Sequence, residues 1–216
     1  SFEITDIPLI EYAAKKMKPM IISTGIATME DILLALETCK NVGNTDITLL
    51  KCTSAYPAPI EEANLIMIKE MAERFQVKTG LSDHTVGSLV PITAVAMGAV
   101  MIEKHFIIDR SIGGPDAAFS MNEQEFTQMV RDIRSVEKAI GKISYELTDK
   151  IKSSRDFSRS LYVVENMKKG DVITEQNVRS VRPGFGLPPK HLKEILGKKV
   201  NRDLEKGDRM SMKYTL

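Results

Sequence analysis

Two histidines end two consecutive apolar, strand-like runs of the chain. His84 closes the segment 78–84, and His105 closes the segment 100–105. In a parallel α/β sheet or barrel, the carboxyl ends of neighbouring strands meet at the edge where chemistry takes place. Because neutral imidazoles are common metal ligands, the pair predicts a metal site. The residues alone leave open that one or both histidines only form hydrogen bonds at a strand end.

A charged residue directly precedes each of these histidines. Asp83 could orient an imidazole through a hydrogen bond, or it could cap the loop that follows the strand. Lys104 could neutralise the charge of a substrate, or it could form an ion pair at the strand end. The sequence leaves both pairs of alternatives open.

Four apolar runs with the pattern of strands alternate with segments that have the pattern of helices. The runs follow one another at intervals of about 23 to 30 residues, enough for a strand and a crossover helix. Apolar residues at helical spacing mark the segments between them. The alternation predicts a parallel sheet with right-handed crossovers. The predicted strands are 19–23, 47–52, 77–81 and 100–103, and the predicted helices are 7–16, 28–39, 62–75, 89–97 and 122–140.

The composition changes near residue 141. Residues 142–156 are mostly polar and predict a linker, and the helical periodicity is lost beyond them. Short strand candidates, a loop rich in proline and glycine, and two similar turns at 168–171 and 205–208 follow. We therefore expect a first domain at 1–141 and a compact tail domain at 157–216.

The bulk composition excludes several classes of partner. Thirty basic and 29 acidic side chains give a net charge of +1, which predicts no electrostatic surface for nucleic acid or a membrane. The apolar runs are too short to span a bilayer. Two cysteines without metal or redox spacing are typical of a reduced, cytoplasmic protein.

Several motifs together resemble the sialic acid synthase family, whose enzymes condense phosphoenolpyruvate with an amino sugar. The tail, from Arg159-Ser160-Leu161 to Arg182-Pro183-Gly184-Phe185-Gly186-Leu187, resembles the antifreeze-like (SAF) domain of that family. Within the family, the chain is most similar to the pseudaminic acid synthase branch. The motifs are Ile22-Ser23-Thr24-Gly25, Cys52-Thr53-Ser54-Ala55-Tyr56-Pro57, Gly80-Leu81-Ser82-Asp83-His84, Glu103-Lys104-His105-Phe106 and Gly114-Pro115-Asp116.

The resemblance implies the C-terminal half of a (β/α)8 TIM barrel followed by a small SAF domain with a β-clip fold. Members of the family carry a complete barrel, and Ser1 matches the segment just after the fourth strand. We therefore expect the first four β/α units to be absent from this chain. Because the absent half contributes substrate-binding groups in the family, we expect this fragment alone to be inactive.

The resemblance also implies roles for particular residues. His84 and His105 would be catalytic ligands of Mn²⁺ or Mg²⁺, with Tyr56 as a third catalytic residue. Ser54 stands where asparagine is expected in sialic acid synthases. A loop arginine reaching the other subunit implies a domain-swapped homodimer. The implied substrate-binding residues are Ser23, Ser54, Tyr56, Ser82, Asp116, Phe157 and Arg182; capping, turn or core roles are the alternatives for these residues.

The expected activity is that of a transferase that forms a carbon–carbon bond. It would condense phosphoenolpyruvate with a 2,4-diacetamido-trideoxy hexose, giving pseudaminic acid and phosphate for a bacterial surface glycan such as that of flagella. An N-acetylneuraminate or legionaminate synthase is the alternative within the family. An aldolase or another phosphoenolpyruvate-condensing synthase on the same barrel is a further alternative, as is a non-catalytic carbohydrate-binding module.

Overall fold

The computed structural model describes residues 1–216 and divides them into two compact units. The first unit is Ser1–Lys142 and the second is Ile143–Leu216. Each unit has a hydrophobic core of its own. None of the helices combines the length and the hydropathy that crossing a bilayer requires.

A four-stranded parallel sheet organises the first unit. The strands lie in chain order, each paired with the next, which gives the four successive β/α units of half a (β/α)8 barrel. The predicted alternation of strands and helices is therefore confirmed. The strands are β1 (Met20–Ser23), β2 (Ile47–Cys52), β3 (Lys78–Asp83) and β4 (Ile102–Lys104), and the helices are α1 (Ile7–Ala14), α2 (Met29–Asn41), α3 (Ile66–Phe75), α4 (Leu89–Ala96) and α5 (Glu123–Ile140).

The helices cover one face of this sheet. Leu49 of β2 packs with residues of α2, and Leu81 of β3 packs with Ile68 of α3 and with α4. Side chains alternate across a strand, so Ser82 and His84, which flank outward-facing Asp83, turn toward the opposite face. That face is free of helices, and the candidate site lies on it.

Capping boxes define the starts of α2 and α5. In the first, the Asp31 N–H donates to the Thr28 hydroxyl, and the Thr28 N–H donates to the Asp31 carboxylate. Asn122 and Glu125 exchange the same two bonds at the start of α5. These bonds satisfy N–H groups that have no partner inside a helix.

The second unit is a compact domain of short strands. Strand β5 (Ser160–Val163) pairs antiparallel with β6 (Val178–Val181), and isolated bridges join further segments to them. Two short helices complete it, α6 (Asp149–Ser154) and α7 (Leu192–Ile195). Its core contains the fully buried Leu161 and Ile195.

The two turns that the sequence singled out in the tail have the same construction. The Lys168 N–H donates to the Asp171 carboxylate, and the Glu205 N–H donates to that of Asp208. The third residue of each turn is a glycine with positive φ, 98° at position 170 and 102° at position 207, a backbone conformation that glycine adopts readily.

The segment 142–156, expected to be a linker, contains α6. Thr148 caps this helix by accepting the Ile151 N–H, and no residue of the helix is buried. The boundary at residue 141 stays a prediction, one residue away from the division between the two compact units.

Candidate metal and substrate site

A row of polar side chains crosses the helix-free face of the sheet near the strand ends. Cys52 pairs in register with Ser82, and Ser82 pairs with Glu103. The Ser82 hydroxyl donates to Glu103 Oε1 at 2.7 Å. The Ser1 hydroxyl lies 3.0 Å from the Ser23 hydroxyl and 3.3 Å from the Cys52 sulfur. This row supplies hydroxyl donors and one carboxylate to the open face.

The two histidines lie side by side just beyond this row. Their ring centroids are 5.2 Å apart, with the ring planes at 73°. His84 is buried, and its Nδ1 lies 2.9 Å from the Thr53 carbonyl oxygen. A carbonyl only accepts hydrogen bonds, so Nδ1 carries a proton, and Nε2 is the nitrogen whose lone pair is available in the neutral imidazole. His105 is partly exposed, and its Nδ1 lies 3.5 Å from Asp116 Oδ2.

These imidazoles fit a divalent metal ion with an open coordination sphere. A histidine ligand usually donates its second ring N–H to a carbonyl or carboxylate, as His84 donates to Thr53. No group of three or more histidine, cysteine, aspartate or glutamate side chains is gathered as a metal cage. With these two nitrogen ligands a metal ion would keep positions open for water and substrate oxygen, as catalytic metal sites do.

Two aromatic rings border the imidazoles. The Tyr56 ring lies 4.2 Å from that of His84, and the Phe119 ring lies 5.0 Å from that of His105. Burial raises the pKa of the Tyr56 phenol, and the charges of Cys52, Asp116 and Glu103 raise it further. The phenol therefore stays protonated at neutral pH and is a hydrogen-bond donor.

The loop after β4 carries Asp116 and Phe119 back to the histidines. The Met121 N–H donates to the His105 carbonyl at 3.0 Å. The Ser120 N–H and hydroxyl both donate to the Asp116 carbonyl. Arg110 donates to the Ser120 carbonyl and to both carboxylate oxygens of Glu125. These bonds fasten the loop at its end, so Asp116 lies beside His105.

Ser54 lies against the end of β1. Its hydroxyl is 3.9 Å from the Cys52 sulfur. A Cβ atom at Gly25 would lie only 2.1 Å from that hydroxyl, so a side chain at position 25 would displace the Ser54 hydroxyl. Ser23 also borders a cavity of about 310 Å³ at the free edge of β1.

The structure thus brings together seven of the residues predicted for the site. Four residues of the same face were not predicted as site residues: Gly25, Cys52, Glu103 and Phe119. Ser82 and His84 lie on the same face because side chains alternate along a strand. Glu103 pairs in register with Ser82, so it lies on that face too. Phe119 carries no such signal, because it lies in an irregular loop. The seven are Ser23, Ser54, Tyr56, Ser82, His84, His105 and Asp116.

Asp83 and Lys104 do not face the imidazoles. The Lys104 ammonium lies 2.6 Å from Asp83 Oδ2, and both side chains are almost completely buried. Of the alternatives left open by the sequence, Asp83 forms the loop cap, since it accepts the Thr85 N–H. Lys104 forms the strand-end ion pair.

Phe157 and Arg182 belong to the second unit, and both side chains are exposed. The Gly184 N–H donates to the Asp156 carbonyl at 2.9 Å. The Ser160 hydroxyl donates to the Pro183 carbonyl at 2.7 Å. The loop that carries Arg182 is therefore pinned to the segment that carries Phe157.

Comparison with known proteins identifies the family. The NeuB family model matches residues 1–145, and the SAF domain model matches residues 158–208. The chain belongs to the NeuB family. It is 48% identical to the pseudaminic acid synthase of Helicobacter pylori over 212 residues, 98% of this chain and 62% of that protein.

Two further relatives show how far the similarity extends in sequence and in fold. The chain is 37% identical to the N,N'-diacetyllegionaminic acid synthase of Legionella pneumophila, over 96% of this chain and 60% of that protein. The crystal structure of the spore coat polysaccharide biosynthesis protein SpsE from Bacillus subtilis matches with a TM-score of 0.63 at 33% identity, over 100% of this chain and 66% of that one. The chain spans about three fifths of the length of the curated relatives it matches.

Proposed function

We propose that this chain contributes half of the active site of a pseudaminic acid synthase. The reaction joins C3 of phosphoenolpyruvate to the aldehyde carbon of a 2,4-diacetamido-trideoxy hexose, water adds at C2, and phosphate leaves. The observation that carries the proposal is the pair of imidazoles 5.2 Å apart on the polar face. The 48% identity to a pseudaminic acid synthase supports the choice of sugar.

His84 and His105 would hold Mn²⁺ or Mg²⁺, whose Lewis acidity polarises an aldehyde carbonyl. The Thr53 carbonyl fixes the tautomer of His84 that leaves Nε2 unprotonated. Asp116 holds the ring of His105 from the other side. The protein thereby fixes both ligands before any substrate binds, which lowers the entropic cost of assembling the site.

The hydroxyls of Ser23, Ser54 and Ser82 would bind the phosphate and carboxylate oxygens of phosphoenolpyruvate. Tyr56 would donate a hydrogen bond to an oxygen of the bound substrates, since its raised pKa keeps the phenol protonated. Asp116 is partly exposed at the mouth of the site and would accept hydrogen bonds from the hydroxyls of the sugar.

The sheet presents free edges at β1 and β4, and we propose that further β/α units complete the barrel in the active enzyme. We also propose a homodimer with swapped domains, in which Arg182 and Phe157 contact the sugar in the site of the other subunit. A guanidinium on a proline-containing loop gives a fixed polar contact. On this proposal the 216-residue chain alone has no turnover.

Phosphate release from phosphoenolpyruvate tests the proposed reaction. The complete natural gene product that contains this chain is assayed with Mn²⁺ and then with EDTA. The sugars are 2,4-diacetamido-2,4,6-trideoxy-altrose, its mannose-type epimer and N-acetylmannosamine. We expect turnover with the altrose sugar that the chelator abolishes. Preference for another sugar would move the protein to the legionaminate or neuraminate branch, and a folded protein inactive with all three would contradict the synthase.

Arg182→Ala tests the role of the tail in the same assay. We expect the KM for the sugar to rise about tenfold or more, because a charge-assisted contact is lost, while the KM for phosphoenolpyruvate stays unchanged. Arg179→Ala is the matched control, since Arg179 is an exposed arginine of the same strand region whose side chain donates to the Glu175 carbonyl. Equal effects of the two substitutions would contradict a contact by Arg182.

A further inference from the structure

Lys104 and Asp83 form a buried ion pair, and both side chains also form hydrogen bonds to Thr85. The side chains are 1% and 2% exposed, and Lys104 Nζ lies 2.6 Å from Asp83 Oδ2. Lys104 also donates to the Thr85 carbonyl at 2.6 Å. Asp83 accepts both the N–H and the hydroxyl of Thr85, each at 3.1 Å. The side chains of Lys104, Asp83 and Thr85 and the backbone of Thr85 are thus held in one arrangement.

Stability alone does not account for such a pair. Removing two charges from water costs several kcal/mol per ion, and well-packed apolar residues of the same volume often serve stability equally well. The unit contains apolar alternatives at neighbouring outward positions, since Leu81 and Ile102 pair in the same register two residues earlier. What the ion pair adds over such residues is a fixed relative position of two backbone segments.

The position of the pair at the end of the sheet is informative. Pairing between β3 and β4 begins at Leu81 with Ile102 and ends at Asp83 with Lys104. His84 directly follows β3 and His105 directly follows β4. The two histidines have no backbone hydrogen bond to each other. Their carbonyls accept from different partners, Ala58 for His84 and Met121 for His105. The ion pair therefore lies at the last residues that the two strands pair, directly before the histidines.

We propose that the Lys104–Asp83 pair is a positioning device that sets the separation of the His84 and His105 imidazoles. The proposal rests on the proposed function, because the value of a fixed separation is to present two ligands to one metal ion. Side chains alternate between the two faces of a strand. Lys104 and Asp83 therefore lie on the helix-covered face, and each positions the backbone of the adjacent histidine, whose ring lies on the open face. Neither Lys104 nor Asp83 touches a substrate or a metal ion.

The test measures the separation of the rings with and without metal. In the metal-free chain, the nuclear Overhauser effect between ring protons of His84 and His105 reports their proximity, which the centroid distance of 5.2 Å makes observable. Mn²⁺ titration of the same samples reports the affinity. The variant Lys104→Met with Asp83→Leu replaces the pair by apolar residues of similar size, a change that often leaves the stability of a protein unaffected.

We expect the double variant to unfold near the wild-type midpoint, to lose the ring-to-ring effect and to bind Mn²⁺ about 10- to 100-fold more weakly. Lys78→Met is the matched control. It removes a lysine of β3 from an exposed ion pair with Asp46, 64% and 53% exposed, and should leave both readouts unchanged.

A folded double variant with the wild-type ring-to-ring effect and Mn²⁺ affinity would overturn the proposal. If the double variant does not fold, Asp83→Asn keeps the side-chain shape and is measured in the same way, and unchanged readouts there would overturn it equally. A wild-type chain that binds no Mn²⁺ contradicts the metal site, whereas loss of the ring-to-ring effect in the variant still supports the positioning role.

Discussion

Tyr56 joins the aromatic and acidic parts of the site. Its ring lies 4.2 Å from the His84 ring and 6.1 Å from the His105 ring, and its side chain is about half exposed. Burial and nearby negative charge both favour the neutral phenol, so both raise its pKa. The neutral phenol is a hydrogen-bond donor beside the two imidazoles.

We predict that Tyr56 ionises above the usual tyrosine value of about 10. The phenolate absorbance of the wild type minus that of Tyr56→Phe isolates this residue. Asp116→Asn removes a contributing negative charge, so it should lower the pKa of Tyr56, though not fully, because burial is the larger cause. Tyr145→Phe removes an exposed phenol and should leave the Tyr56 difference curve in place. A Tyr56 transition below pH 10 would contradict this description.

Site residues were predictable from the sequence where a strand period or a motif places them. The two histidines and Ser82 follow from strand ends and alternation, and the structure gathers them on one face. Phe119 was not predictable, because its approach to His105 depends on a loop of irregular backbone. The choice between roles for Lys104 was also open until its partner in the neighbouring strand was known.

At the scale of elements, α5 anchors the loop that carries Asp116. Glu125 lies in the first turn of the helix, accepts the Asn122 N–H and pairs with Arg110 of the loop. The hydrogen bond from Arg110 is the main cause that lowers the pKa of the Glu125 carboxyl, followed by that from Asn122. One carboxylate therefore caps the helix and fastens the loop.

We predict that Glu125→Gln destabilises the first unit at neutral pH and not at low pH. Because the folded state favours the ionised carboxylate, its contribution is present above the unfolded value of about 4.3 and is lost as the pH falls through the lower folded pKa. Urea denaturation at pH 7 and near pH 3 measures this. Glu123→Gln, which changes a first-turn glutamate with no bond to Arg110, is the control. An equal deficit of Glu125→Gln at both pH values would contradict the prediction.

Each predicted element of the first unit has a counterpart in the structure because each buries an apolar face, although the helix predicted at 62–75 begins only at Ile66. The strand predicted at 47–52 is β2 itself, and the helix predicted at 122–140 differs from α5 by one residue. Helix α6 was missed for the opposite reason. It buries no residue, so the apolar periodicity by which helices are found in a sequence is absent there.

The whole molecule has two separate hydrophobic cores. A substitution in one core is therefore expected to destabilise only the unit that contains it. Ile68 is fully buried in the first unit and Leu161 in the second. We predict that Ile68→Ala and Leu161→Ala each cost about 2–5 kcal/mol of unfolding free energy. Hydrogen exchange should show lost protection within residues 1–142 for the first variant and within 143–216 for the second. Loss spread over both units in either variant would contradict independent cores.

Mn²⁺ binding by single histidine variants directly tests whether His84 and His105 form a metal site. The chain has three histidines, and the third, His191, contacts Glu194 in the second unit, which makes His191→Ala a matched control. We predict one Mn²⁺ site in the wild type and in His191→Ala, and its loss in His84→Ala and in His105→Ala. Wild-type Mn²⁺ affinity in either of the latter two, with the fold intact, would contradict a metal site formed by these two imidazoles.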